Sequence, residues 1–373
     1  MKTTGAVLET SGAPRPYASS RPITVCELDL ASPGPMEVLV RMEAAGVCHS
    51  DLSVVNGDRP RPLPMLLGHE AAGIVEEVGS AVHDLKPGQR VVTVFLPRCE
   101  ECANCRTGGK LPCSAGTESN GAGRLLSGTN PLSRGGVPVF HHLGVSGFAT
   151  HAVIHRRSLV PVGSDVPPAV AAVLGCAVLT GGGAVINAGK PRPGDTIALV
   201  GLGGVGMAAL LTASAIGAQW ERPARIIGVD ANPEKLSLAL DLGATEAYTP
   251  AEIEGLGLRA QVVIEAAGHP RAFETAVRIT AAGGTTVTIG LPAPGALASI
   301  EPLGLTAEAR TIIGSYLGSA VPARDIPLYE RMWREGRLPV EKLTSSVLPL
   351  ASINEAMDAL ADGQTVRQII SFT

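Results

Sequence analysis

A chain of 373 residues, 45% hydrophobic and 17% charged, holds enough apolar material for about two domains, each with its own core. A net charge of −4 gives no electrostatic basis for nucleic acid or an anionic membrane as the main partner. With 45 glycines, 29 prolines, only 3% aromatics and an odd count of 7 cysteines, the composition is that of a turn-rich α/β enzyme rather than a disulfide scaffold.

The opening MKTTGAVLETSG has no apolar h-region and no small-residue cleavage site, so no secretory signal is expected and the chain reads as cytoplasmic. Short apolar runs at 37–42, 73–78 and 89–96, separated by turn signals, predict strands of a barrel-like domain. Two charge-free stretches, 166–189 and 196–219, are long enough to mimic membrane spans, but glycine or proline clusters break both. The second resolves into a strand, a glycine turn and a helix through Ile216. Further strands are expected at 226–229, 260–264, 285–289 and 311–315, and this succession of βα units predicts an open parallel sheet. The tail from about residue 323 is expected to pack on the first domain, with LPLASINEAMDALADG as an amphipathic helix and VRQIISF as a final strand. The expected division is 1–177 with 318–373, and 178–317.

Four cysteines, Cys99, Cys102, Cys105 and Cys113, fall within CEECANCRTGGKLPC. This C-x2-C-x2-C-x7-C spacing suits four thiolates around a tetrahedral zinc with no open position. Such a site, here covering about 97–115, ties a loop together and does no chemistry itself.

Gly201, Gly203 and Gly206, with Gly204 and Val205 between them, spell G-x-G-x-x-G between a predicted strand and a predicted helix. The first glycine permits a tight turn, the second lets a pyrophosphate approach the backbone, and the third lets helix and strand pack closely. The pyrophosphate would rest on N–H groups at the helix N-terminus. Asp230 ends the next strand in IIGVD, where its carboxylate would accept the ribose hydroxyls of NAD and repel the 2′-phosphate of NADP. A loop around 219–224 accounts for the slightly long gap to Asp230. Lys235, on the following helix, is placed to flank the adenosine ribose.

Outside the lobe, the candidate metal ligands are Cys48 in GVCHSD, His69 in GHE and Cys176 in LGCAVLTG. Two thiolates and one imidazole leave a fourth zinc position open to water or an alcohol. In order, GVCHSD, GHEAAGIVEEVG, KPGQRVV, the four-cysteine lobe, GCAVLTG, GLGGVG and IIGVD resemble the zinc-dependent medium-chain dehydrogenase/reductase family, alcohol dehydrogenase branch. The resemblance runs from Ala6 to the final strand, and the Cys2His ligand set is the one known for alcohol dehydrogenase. It implies an α/β architecture: a GroES-like β-rich catalytic domain, discontinuous in sequence, around a Rossmann domain with a doubly wound parallel sheet.

The resemblance also implies roles. Cys48, His69 and Cys176 bind catalytic zinc, so that the chain carries two zinc ions. Glu70 stands beside the metal, and Asp51 orients the His69 imidazole. Ser50 takes the substrate proton. Thr180 and the backbone around Leu291 lie near the nicotinamide of NAD, and His49 and Arg367 contact its pyrophosphate. Phe95, Leu291 and Tyr316 correspond to pocket walls, and Arg59 to the pocket mouth. The implied reaction is hydride transfer between a primary alcohol, aromatic or medium-chain, and the nicotinamide, giving an aldehyde.

The sequence departs from the family in two places. Where many members place a histidine five residues after the first zinc ligand, this chain has Ser53. The expected proton path is then Ser50, the nicotinamide ribose, and water or Ser53. Arg59 stands where members acting on glutathione-linked formaldehyde often carry an acid, which disfavours that substrate. The long polar segment 114–147 is like that of the dimeric branch and implies a homodimer joined at Rossmann edges around 311–315. Two other readings stand beside this one. A zinc-containing reductase of a conjugated alkene or iminium would suit the altered relay at Ser53. A non-catalytic zinc- and nucleotide-binding redox sensor is opposed by the complete ligand set.

Overall fold

The segment EVLVRMEAAGV is apolar nearly throughout, as a strand covered on both faces requires. It forms Glu37–Val47, an 11-residue strand in which only Arg41 is not buried. One edge pairs with Glu70–Val78, and the other is shared end to end by His151–His155 and Arg367–Ser371. The strand outlasts the predicted 37–42 because it continues beyond an irregularity between Met42 and Ala44. The computed structural model describes residues 1–108 and 111–372.

The chain divides into two units, Met1–Cys176 with the segment from Thr344 onward, and Ala177–Leu343. The first holds a seven-stranded sheet centred on Glu37–Val47 and a six-stranded sheet built on Lys2–Leu8 and Ile23–Leu30. Its core gathers Val40, Met42, Leu67, Phe148, Met357 and Ile370, residues far apart in sequence. The segment 114–147 is more ordered than its glycines suggest. It contains a helix, Ser114–Gly121, and strands Leu132–Arg134, Val137–Pro138 and Phe140–His141 that join the six-stranded sheet.

The second unit is a six-stranded parallel sheet. In spatial order it runs Glu246–Tyr248, Arg225–Val229, Thr196–Val200, Ala260–Glu265, Thr280–Thr288 and Thr311–Gly314. Counted along the chain this is 3-2-1-4-5-6, the doubly wound order that leaves a crevice beyond the strand ends where the order reverses.

Two expectations change. The return to the first unit comes at Thr344, not near 318. The helix Pro322–Arg334 stays with the second unit because Tyr329, fully buried, packs against Gly182, and Asn187 donates to Asp325. Nor do Gly181, Gly182 and Gly183 break the stretch 166–189, since Pro168–Gly189 is one 22-residue apolar helix. An added Cβ at those glycines would lie 2.3 Å from Val205 O, 2.8 Å from the Tyr329 ring and 2.4 Å from Gly318 O. These glycines serve close packing within the helix's surroundings. The helix is long and apolar enough to cross a membrane, yet 83% of its apolar window is buried within the protein.

His141, in the strand Phe140–His141, is fully buried and neither ring nitrogen has a hydrogen-bond partner among the described residues. Burial pushes its pKa from 6.5 down to about 3. The unfolded chain therefore takes up this proton first, and stability present above pH 6.5 is lost as the pH falls towards 3. For this one proton the slope is at most about 1.4 kcal/mol per pH unit. Denaturant unfolding at pH 7, 6 and 5 should show His141→Leu losing less stability than the wild type. Parallel losses would assign the acid sensitivity to other groups.

Candidate active site, metal lobe and nucleotide turn

The four-cysteine lobe folds as its spacing requires. Backbone N–H groups of Cys102, Cys105 and Gly116 donate to the sulfurs of Cys99, Cys102 and Cys113 at 3.3, 3.4 and 3.3 Å. Cys99 Sγ and Cys105 Sγ stand 3.9 Å apart. Zinc–sulfur bonds of about 2.3 Å in a tetrahedron demand about 3.8 Å, so the donor set fits zinc. Among themselves the thiols oppose one another's ionisation. N–H groups of Ser114 and Cys105 draw Cys102 down to about 6, whereas burial and neighbouring thiols push Cys105 up to about 12. A divalent cation lets all four ionise together. Gly109 and Lys110 of this lobe lie outside the described residues.

The second cluster is assembled around the end of Glu37–Val47. A helix, His49–Val55, begins at once, with Cys48 as its N-cap in extended backbone. Asp51 closes the cap, its Oδ2 accepting the Cys48 N–H at 3.1 Å. Glu70 pairs opposite Gly46 in the neighbouring strand, where a Cβ would lie 2.8 Å from Glu70 Oε1. Cys176 arrives on the long helix, which approaches Arg90–Thr93 so closely that a Cβ at Gly175 would meet Thr93 O at 2.0 Å. As a result one ligand atom each from Cys48, His69, Glu70 and Cys176 lies within 4.8 Å of all the others, every residue buried. Two sulfurs, an imidazole and a carboxylate suit zinc.

His69 is held by a carboxylate and by two rings set perpendicular to its own. Its Nδ1 is 3.0 Å from Asp51 Oδ1, which leaves Nε2, 3.4 Å from Cys176 Sγ, to face the cluster. Phe95 and His142 stand edge-on to its ring at 5.6 and 5.5 Å. Burial opposes a charge on His69, but Asp51 and the Cys48 thiol raise its pKa well above the ordinary value. Burial also opposes ionisation of Asp51, yet His69 and His142 hold it down to about 2. The hydrogen bond from Cys176, aided by the charge of Arg367, lowers Cys48 well below the usual thiol range. Cys176 rises correspondingly.

Glu70 and Arg367 form a buried pair. The resemblance implies that Arg367 contacts a pyrophosphate; here it is 3% exposed and faces inwards. Its Nη1 lies 3.5 Å from Glu70 Oε2 and donates to Val47 O at 3.0 Å, a position set by the pairing of Gln368 with Val47. Burial still pushes Glu70 up to about 7, with Arg367 offsetting part of the cost.

In the second unit the three glycines divide their work as the motif predicts. Gly201 has φ +92°, and a Cβ there would strike Ala267 N at 2.5 Å. At Gly206 a Cβ would lie 1.8 Å from Gly201 O, whereas at Gly203 it would meet nothing within 4 Å. The middle glycine thus leaves the backbone open to a phosphate, and Gly203 caps the helix Gly204–Gly217. The Asp230 carboxylate is fixed at the turn by the N–H groups of Leu202 (2.7 Å) and Asn232 (2.9 Å). Beside it lies a cavity of about 620 Å³, also lined by Gly201, His269 and Arg271. These residues fit a dinucleotide.

The remaining candidates are distributed as follows. Ser50 is half-buried and His49 exposed in the first turn after Cys48. Ser53 Oγ donates to His49 O at 2.7 Å, and Arg59 N donates to Ser53 O at 2.8 Å. In the second unit Thr180 is buried, Lys235 is half-buried, and Leu291 and Tyr316 are 48% and 40% exposed. Sequence reasoning missed His142, Glu265 and His269. Glu265 binds Ala267 N, Gly268 N and Thr288 Oγ1 at 2.9, 2.8 and 2.8 Å. Its position at the end of a buried apolar strand was the available signal, as the doublet His141–His142 was for His142.

Comparison with known proteins identifies the family. Residues 34–164 match the alcohol dehydrogenase GroES-like domain, and residues 204–333 match the zinc-binding dehydrogenase domain. A Mycobacterium tuberculosis protein provisionally named alcohol dehydrogenase D is 34% identical over 99% of this chain and 100% of its own length. Among solved structures, benzyl alcohol dehydrogenase from Acinetobacter calcoaceticus is 31% identical with a TM-score of 0.90, covering 100% of both chains. An alcohol dehydrogenase zinc-binding domain protein from Burkholderia ambifaria is 32% identical with a TM-score of 0.91, covering 100% of this chain and 99% of its own. The chain belongs to the zinc-dependent medium-chain dehydrogenase/reductase family, in its alcohol dehydrogenase branch. It has that family's GroES-like and Rossmann domains.

Removing one member of the buried pair should be costly. Arg367→Leu leaves Glu70 without its counter-charge and should destabilise the protein by about 3 kcal/mol or more in urea unfolding at neutral pH. The double variant with Glu70→Gln should lose less than the sum of the two single changes. Additive losses would mean that the pair is not coupled.

Proposed function

We propose that this protein is an NAD(H)-dependent alcohol dehydrogenase interconverting a primary alcohol, aromatic or medium-chain, and its aldehyde. One zinc is held by Cys48, His69 and Cys176 and a second by the four-cysteine lobe. The observation that carries this reading is the buried convergence of two thiols and an imidazole, with Glu70, within 4.8 Å. The likeness to benzyl alcohol dehydrogenase, at 31% identity, supports an aromatic primary alcohol. Asp230, fixed beside the open Gly203, supports NAD by repelling a 2′-phosphate.

When bound, the metal supplies Lewis acidity and the nicotinamide accepts the hydride. The chain's own groups do the rest. Ser50, in the first turn of the helix after Cys48, receives the alcohol proton as it passes its own hydroxyl hydrogen onward. Ser53 Oγ donates to His49 O at 2.7 Å, so in onward transfer it accepts a proton while its own hydrogen turns from that carbonyl to water. Asp51 holds His69 in the tautomer that presents Nε2. The protein is further proposed to act in the cytoplasm as a homodimer. Among the described residues Thr311–Gly314 is the edge strand of its sheet, and Leu297 and Leu303 nearby in sequence are 88% and 71% exposed.

Absorbance of reduced nicotinamide, followed with a panel of alcohols and NAD and of aldehydes and NADH, tests the whole reading. Turnover should favour primary aromatic alcohols and vanish on zinc chelation. A zinc-replete protein without turnover would refute it and favour reduction of a conjugated alkene or iminium. Ser50→Ala should lower turnover at least about tenfold, and near-wild-type turnover would remove Ser50 from the relay. Ser53→His should raise alcohol oxidation most below about pH 8, where an imidazole base is effective; an unchanged pH profile would exclude Ser53 from the path.

A further inference from the structure

Behind the metal ligand His69 lies a second imidazole for which the reaction has so far no use. His142 is 1% exposed, and its Nδ1 stands 3.1 Å from Asp51 Oδ1, the same oxygen that lies 3.0 Å from His69 Nδ1. The approach is at ion-pair distance with the N–H off line, and no other acceptor reaches this nitrogen among the described residues. The two rings are perpendicular. The His142 backbone is anchored to the loop leading into His69: its N–H donates to Ser146 Oγ at 3.1 Å, and Ser146 Oγ donates to Leu66 O at 2.9 Å.

We propose that His142 is a positioning residue for the catalytic metal ligand, acting through Asp51, whose Oδ1 lies within 3.1 Å of the Nδ1 of both imidazoles. The inference rests on the zinc reading of Cys48, His69 and Cys176. A carboxylate that met His69 alone would be free to turn about its own axis. With the Cys48 N–H on Oδ2, His69 Nδ1 on Oδ1, and His142 Nδ1 3.1 Å from that same Oδ1, the carboxylate is held at both its oxygens. His69 is thereby locked in the tautomer and plane that present Nε2 to the cluster. His142 Nδ1, 3.1 Å from the same oxygen, also shares the carboxylate's charge, so His69 receives part of it rather than all.

The test is release of zinc to a chelating dye from wild type, His142→Phe and His142→Asn, each loaded with two zinc ions. Cys105→Ser, which removes the lobe ion, assigns the two phases. His142→Phe fills the space without a donor and should release the catalytic zinc on the order of 10–100-fold faster, the usual effect of losing an outer partner of a metal ligand. His142→Asn keeps an N–H donor and should recover most of the retention, while the lobe zinc leaves at one rate in all three. Equal retention by wild type and His142→Phe would overturn the proposal, as would an asparagine variant that releases as fast as phenylalanine. If the phenylalanine chain fails to keep its lobe zinc, His142→Leu replaces it in the same comparison. A wild-type chain holding only the lobe ion would overturn the zinc reading, and this inference with it.

Discussion

Everything in the first unit depends on burying opposed charges together. Two thiols, an imidazole, two carboxylates and a guanidinium share one fully enclosed region, where an unpaired charge would cost several kcal/mol. Each acid therefore has a base beside it: Asp51 has His69, and Glu70 has Arg367. The backbone supplies the geometry. Glu37–Val47 ends where Cys48 begins, its neighbour on one side brings Glu70 opposite Gly46, and its neighbour on the other brings Arg367 to Val47. Small residues near that strand end leave the room that these side chains fill.

The second unit solves a different problem, bringing backbone rather than side chains to a ligand. Gly201 turns the chain, Gly206 lets the helix press on the turn, and Gly203 alone faces open space. Asp230 is the only one of these groups with a charge, and it is tied to the turn by the N–H of Leu202. The nucleotide turn and the carboxylate beside it are thus one rigid element.

Much of this was legible in the sequence, for reasons that differ by residue. The lobe could be read from residue type and spacing, whereas Cys48, His69 and Cys176, far apart in sequence, came together as a candidate set through the resemblance to the family. The glycine turn announced itself by standing between an apolar strand and a helix. The engagement of Arg367 with Glu70 could not be read, because it arises from strand pairing between residues some 320 apart. His142 sits in a segment without periodicity, and only tertiary folding takes it to Asp51. The helix Pro322–Arg334 carries no local mark of the unit it joins; Tyr329 and Gly182 decide that by shape. The run Gly181–Gly183 was misread for the same reason, since a glycine that breaks a helix and one that lets a neighbour approach look alike in sequence.

The strand Arg367–Ser371 has a consequence for how the first unit folds. It lies beside Glu37–Val47, some 320 residues earlier in the chain, so this sheet closes through a contact of very long sequence separation. The sheet of the second unit, by contrast, is contiguous from Thr196 to Gly314 and can close within that span. Until Arg367–Ser371 docks on Glu37–Val47, Glu70, beside Cys48, His69 and Cys176, lacks the guanidinium that balances it, so the buried cluster is completed by the most distant strand pairing of its unit.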